Sequence, residues 1–207
     1  GSKPANKPVV ASDLDPAVIT GQTALTSSPA ATDEFIISDA GVLKRLDASL
    51  IGGGKIGQVV SVIKTDKFTT TSSSFTDITG MTVNITPSAS SSKILIMLSL
   101  GAFQNDIGDS TVYGNLVRGS TALAQGNNIT GTECTFAHRQ NTSANNNFQT
   151  PISFTFLDSP STTNQTTYKL QGTIGTDNGG LAVNSSYGVL NTSGNTSSTI
   201  TVMEILA

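Results

Sequence analysis

The sequence predicts an all-β protein: one sandwich or jelly roll, preceded by an extended segment that carries a short hairpin. Three observations predict it. Ser, Thr and Asn supply 71 of the 207 residues, while charged residues make up only 12%, about half the usual share. From Gln58 onward, short β-branched runs alternate with polar turns marked by Gly, Pro and Asn. No segment sustains a 3.6-residue period over the length of an ordinary helix. The composition also excludes classes. A net charge of −3 provides no basic stripe to displace counterions from nucleic acid. No apolar run approaches the ~20 residues of a membrane span. Neither nucleic acid nor membrane insertion is therefore expected. A single cysteine, Cys134, leaves no internal disulfide and no Cys-based zinc site.

The elements follow in chain order. Gly1-Ser2 reads as a cloning remnant, and no apolar signal-peptide core follows it. Lys3–Ala11, rich in Pro, Ala and Asn, reads as extended. Phe35–Ser38 and Val42–Leu46 flank Asp39-Ala40-Gly41, where Gly supplies the positive φ of a tight turn. They predict a hairpin. A lone two-stranded hairpin is marginal in water, and copies from other chains are one way to complete it. Gly52-Gly53-Gly54-Lys55-Ile56-Gly57 matches the GxGxxG spacing. A dinucleotide loop, however, needs a strand before it and a helix after it. Here the β-branched run Gln58–Ile63 follows, so the glycines read as a joint. The joint separates a connector, residues 1–57, from a head, residues 58–207.

Within the head the expected strands are Val59–Lys64, Phe68–Thr70, Thr76–Ile78, Thr82–Ile85, Lys93–Phe103, Thr111–Arg118, Thr121–Ala124, Glu133–His138, Ile152–Leu157, Thr166–Ile174, Gly180–Val183 and Thr199–Leu206. Several alternate cleanly. Ile152, Phe154 and Phe156 face one way, Ser153 and Thr155 the other, as in strands with one solvated face. Two do not. Ile94–Leu98 is apolar on both faces. So is the last strand, with Ile200 and Val202 on one side and Met203 and Ile205 on the other. A second apolar face needs a second cover; a neighbouring subunit is the simplest one, and a long loop of the same chain folded over the sheet is the other.

Several stretches resemble virion appendages. Ile19-Thr-Gly-Gln-Thr-Ala-Leu25 and Asp33–Asp47 resemble the connector of tail fibres from marine bacteriophages. Gly57-Gln-Val-Val-Ser-Val62, Phe75–Pro87, Ser92-Lys-Ile-Leu-Ile96 and the closing Thr201-Val-Met-Glu-Ile205 are similar to the head domains that end such fibres. Residues 104–198 carry no matching pattern. The resemblance implies a homotrimer with a jelly-roll tip like the tumour-necrosis-factor fold. It also implies other virion proteins as partners at the N-terminus, and a place on the virion, outside the cell.

Catalytic chemistry finds little support. His138 is the only histidine. It lies four residues from Cys134, ~13 Å along a strand at ~3.3 Å per residue and too far for proton transfer. Asp106, Asp109 and Asp177 are the carboxylates a glycan hydrolase would have to use. They sit in Asn/Gly-rich segments where Asp commonly forms turns. Asp106 and Asp109 also give a minor calcium reading, without an EF-hand pattern. No cofactor and no resident metal are expected. Seven Asn-x-Ser/Thr sequons, including Asn84 and Asn184, follow from the composition.

Recognition on a sandwich usually belongs to its end loops. The candidate receptor-binding residues are Asn105, Asp106 and Asp109 in the first loop, and Asn127 and Asn128 in the second. Arg139, Asn146 and Phe148 follow in the third, Asn164 in the fourth, then Asp177 and Asn178, and last Tyr187. The expected function is a non-enzymatic fibre tip that attaches to a bacterial surface glycan or outer-membrane protein, with avidity from several copies. The alternatives are a structural capsid-fibre or decoration protein without a receptor, and a surface-polysaccharide hydrolase.

Overall fold

The structure is a computed structural model. It describes residues 32–51, 55–105, 109–127, 131–139, 149–175, 179–185 and 194–206, with short stretches between 15 and 30. Contacts divide the chain into two units, Gly1–Gly53 and Gly54–Ala207.

The first unit holds one helical turn, α1 (Ala17–Thr20), which the sequence pattern did not signal. Its hairpin pairs β1 (Glu34–Asp39) with β2 (Val42–Asp47), in a register running from Glu34 opposite Asp47 to Asp39 opposite Val42. Ala40 and Gly41 both have positive φ, 50° and 82°. That is the two-residue turn whose twist matches a hairpin. Asp47 accepts a 2.9 Å bond from the Ser49 amide and caps a 3-10 turn over Ala48–Leu50. Of the expected joint over Gly52–Gly57, residues 52–54 lie outside the described residues, while Ile56 and Gly57 already belong to the first strand of the second unit.

The second unit is all-β among its described residues. One sheet is formed by β3 (Ile56–Lys64), β14 (Ser198–Ile205), β6 (Lys93–Leu100) and β11 (Ile152–Asp158), in the order β11-β6-β14-β3. The other runs β10-β8-β12-β5, from β10 (Phe136–Arg139), β8 (Thr111–Arg118), β12 (Thr166–Ile174) and β5 (Thr76–Ile85), with β9 (Thr121–Leu123) also paired to β8. A small third sheet orders β4 (Phe68–Thr70), β13 (Leu181–Val183) and β7 (Phe103–Asn105) as β4-β13-β7. All pairings are antiparallel.

The core lies between the two large sheets. Ile94, Ile96, Leu98, Leu100, Ile200 and Val202 meet Ile78, Met81, Val83, Leu116, Tyr168 and Leu170 in one cluster. Two predicted boundaries moved for physical reasons. The runs at 76–78 and 82–85 join into β5 because Gly80, at φ 83°, carries the strand through an irregularity. Between Asp77 and Thr82 five steps of β5 oppose two of β12. Lys93–Phe103 divides at Gly101, where a Cβ would come within 2.5 Å of the Ser197 carbonyl oxygen. The chain turns there and places Phe103–Asn105 in the third sheet.

Polar contacts stitch the interior. Tyr168 and Arg118 reach from one sheet to Asp158 on the other. Glu204 of β14 accepts bonds from the Gln58 amide at 2.8 Å and from the Ser88 amide and hydroxyl at 2.6 Å each. Gly114 leaves space for the Phe136 ring opposite it, which stands edge-on to Phe103 with centroids 5.1 Å apart.

Candidate assembly surface and the end loops

The outer face of the β11-β6-β14-β3 sheet follows from strand alternation. Residues whose neighbours point into the core must themselves point out. The ladder register aligns them in rows across the sheet. One row reads Leu157, Leu95, Met203, Val59. Below it run Thr155, Met97, Thr201 and Ser61, then Ser153, Ser99, Thr199 and Ile63. Lys93, Ile205 and Ile56 line the opposite margin. Leu157, Val59 and Ile63 are 47%, 53% and 63% exposed. Leu95, Met97, Met203 and Ile205 are half-buried. The two strands expected to be apolar on both faces thus stand side by side in the middle of this sheet.

The outer face of the other large sheet is polar. Lys169 Nζ bonds Asp77 at 2.8 Å, the Gln171 amide donates to the same carboxylate at 2.7 Å, and the Thr167 hydroxyl donates to Asn84. The bonds from Lys169 first, then Gln171, hold the Asp77 carboxyl below its ordinary range. One molecule therefore presents one sheet face with a continuous apolar row and almost no charge, and one of paired polar groups.

The candidate receptor-binding residues do not gather into a described site. Asn105 lies in β7, fully buried, and its amide donates to the Ser110 carbonyl at 3.0 Å. Asp109 is exposed in a turn at φ 57°. Asn127 and Arg139 are exposed, Arg139 at the end of β10. Asn164 is exposed, its backbone N–H bonded to the Thr162 hydroxyl. Asp106, Asn128, Asn146, Phe148, Asp177, Asn178 and Tyr187 lie outside the described residues.

Nor do the reactive groups assemble. His138 pairs opposite Val112 and faces inward with it; burial holds its pKa below the ordinary value. Burial pushes the Cys134 thiol up, away from a reactive thiolate. Among the described residues no group of three or more His, Cys, Asp or Glu could hold a metal. Likewise no helix is long and apolar enough to cross a membrane. Sequence reasoning missed the partners of Glu204 and Asp158, because pairs 146 and 40 residues apart leave no local signal.

No protein-family model matches the chain, and no curated protein does. Similar solved structures come from infectious bursal disease virus. The Gt-strain structure is 15% identical with a TM-score of 0.37, covering 82% of this chain and 41% of that one. The Gx-strain structure is 18% identical with a TM-score of 0.36, covering 82% and 40%. The VP2 subviral particle is 14% identical with a TM-score of 0.33, covering 84% and 43%. The chain spans about two-fifths of those chains.

The resemblance to bacteriophage tail fibres is corrected here. The similar structures named above belong to this virus, and none of them is a phage fibre. With that resemblance go the tail-fibre tip, the attachment to a bacterial host, and the bacterial glycan or outer-membrane protein as partner. At these scores the likeness carries no argument of its own about what this chain does.

Proposed function

We propose that the chain is a non-enzymatic structural subunit of an assembled particle, with a virion as its setting. The carrying observation is the use made of its buried charges. Among the described residues the buried charged side chains are Lys64, Asp158 and Glu204. Lys64 pairs with Asp66 at 2.9 Å, Asp158 ties the two sheets, and Glu204 ties β14 to Gln58 and Ser88. A catalytic site keeps poised groups in a cleft; these are spent on rigidity.

The strand order supports the same reading. Taking β3, β5, β6, β8, β10, β11, β12 and β14 as first to eighth, one sheet holds the sixth, third, eighth and first. The other holds the fifth, fourth, seventh and second. We read this order as that of an eight-stranded jelly roll, a fold of viral shells and lectins alike. Antibody raised against the head is expected to label intact particles purified from the source. Antigen confined to soluble fractions overturns the reading. So does release of reducing ends from surface polysaccharide by the purified chain.

A further inference from the structure

We propose that the outer face of the β11-β6-β14-β3 sheet is a self-contact surface, and that its occupant is a second copy of this chain. The proposal rests on the structural-subunit reading and adds the place where subunits meet.

Charge argues for this occupant. Of the residues set out in the rows above, Lys93 alone is charged, and it stands at a corner. A charged partner finds nothing there to recognise. A like face meets no appreciable like-charge repulsion. Two of the central hydroxyls, Ser61 and Thr201, are bonded to each other at 2.8 Å. What stays uncovered is the continuous row Leu157–Leu95–Met203–Val59, flanked by Met97, Ile205, Ile56 and Ile63.

Size agrees. Four strands ~4.8 Å apart and about seven residues at ~3.4 Å each give a footprint of roughly 450 Å² per copy. Two such faces bury roughly 900 Å² as flat area, close to the ~1,000 Å² a specific interface clears, and side-chain relief on the faces adds to it. The contrast with the polar outer face of the other sheet gives the contact its side. A copy placed against Lys169, Asp77 and Gln171 would have to desolvate a charged pair.

The test is solution mass by light scattering, followed by substitutions on each face. The intact chain at about 100 µM is expected to have a mass of at least twice 21.3 kDa. The double variant Leu95→Lys/Met203→Lys should fall to the single-chain mass with an unchanged far-UV circular dichroism spectrum. Should that variant fail to fold, Leu157→Glu, at an already exposed edge position, should raise the dissociation constant tenfold or more. Thr82→Lys on the polar face should leave the mass unaltered. A single-chain mass for the intact protein overturns the proposal. So does an oligomer indifferent to both apolar-face substitutions, or one dissolved equally by Thr82→Lys. Particles that label with antibody while the oligomer ignores these substitutions would sink the face and leave the structural-subunit reading standing. Absence from particles would sink that reading first.

Discussion

Tyr168 Oη donates a 2.7 Å hydrogen bond to Asp158 Oδ2 across the inside of the sandwich. The two residues belong to different sheets, β12 and β11. Arg118 Nη1 completes the clasp, 2.8 Å from each carboxylate oxygen. Burial first, and then the bond to Asp158, push the Tyr168 phenol well above its ordinary range, so it remains a donor at any working pH. Tyr168→Phe should lower unfolding stability by about 1.5–2 kcal/mol, the lower part of the range for one bond to a charged acceptor. Asp158→Ala should cost more, about 3 kcal/mol, because it also leaves the Arg118 charge unpaired. Urea denaturation of the three proteins gives the order directly.

Glu204 predicts an acid limb. Burial raises the pKa of its carboxyl, but the bonds from Gln58 and from the Ser88 hydroxyl and amide outweigh it and bring the pKa from 4.5 to about 2. A carboxylate depressed in the folded state stabilises it fully above the unfolded value of 4.5. That contribution is lost as pH falls through about 2. Stability should therefore drop between those limits. Glu204→Gln should flatten the drop, at a cost of about 2 kcal/mol near neutral pH from the weakened charge-assisted bonds. Melting temperatures from pH 2 to 7 for both proteins read out the difference.

Gly114 predicts a steric limit. A Cβ there would sit 2.2 Å from Phe136 Cε2, and the ring cannot retreat without losing its edge-on packing against Phe103. Gly114→Ala should cost about 2 kcal/mol, within the range for overpacked cores. Adding Phe136→Leu to that variant should recover part of the loss, which a thermodynamic double-mutant cycle would detect.

Asn184 predicts a hub. It adopts φ 69°. Its amide donates to the Lys64 and Asp66 carbonyls at 2.9 and 3.1 Å, and its carbonyl oxygen accepts from the Ser198 hydroxyl. Its backbone bonds Ala102 and Thr196. Asn184→Ala should lose about 3 kcal/mol through orphaned buried groups and a strained φ. Asn184→Gly should lose less, since only the side-chain bonds go. The Asn184 sequon is buried in the fold, so glycan occupancy after secretion from a eukaryotic cell should be found at exposed Asn84 and not here.

Much of the fold was legible because its signals are local. Phe68–Thr70, Thr111–Arg118 and Thr166–Ile174 were read to the residue, since polar turns close them at both ends. The hairpin was visible because Gly41, which takes positive φ without strain, sits between two apolar runs. The sidedness of Lys93–Leu100 and Ser198–Ile205 was visible as two apolar faces. The sequence did not reveal that these strands are neighbours, because pairing is a property of the whole sheet. Asn105 read as a loop residue, yet it folds into β7. Its polarity marks a buried bond to Ser110 and not a surface. The family resemblance rested on connector and strand motifs whose alternation many β proteins share, so it could not single out one family of virion protein.

The last strand, Ser198–Ile205, lies between β6 and β3, with ladders to both. Until it leaves the ribosome, β3 and β6 have no partner across that gap, and both present apolar side chains and open edges. The sheet can close only after Ser198–Ile205 has emerged, so closure of the head is a late event, and its closing ladder joins residues such as Ser61 and Thr201, 140 positions apart. During that interval the gap is a template for the same strand from another nascent chain. Crowded polysomes are thus where strand exchange between copies would begin, and where a chaperone that shields β-edges would most raise the yield of correctly closed heads.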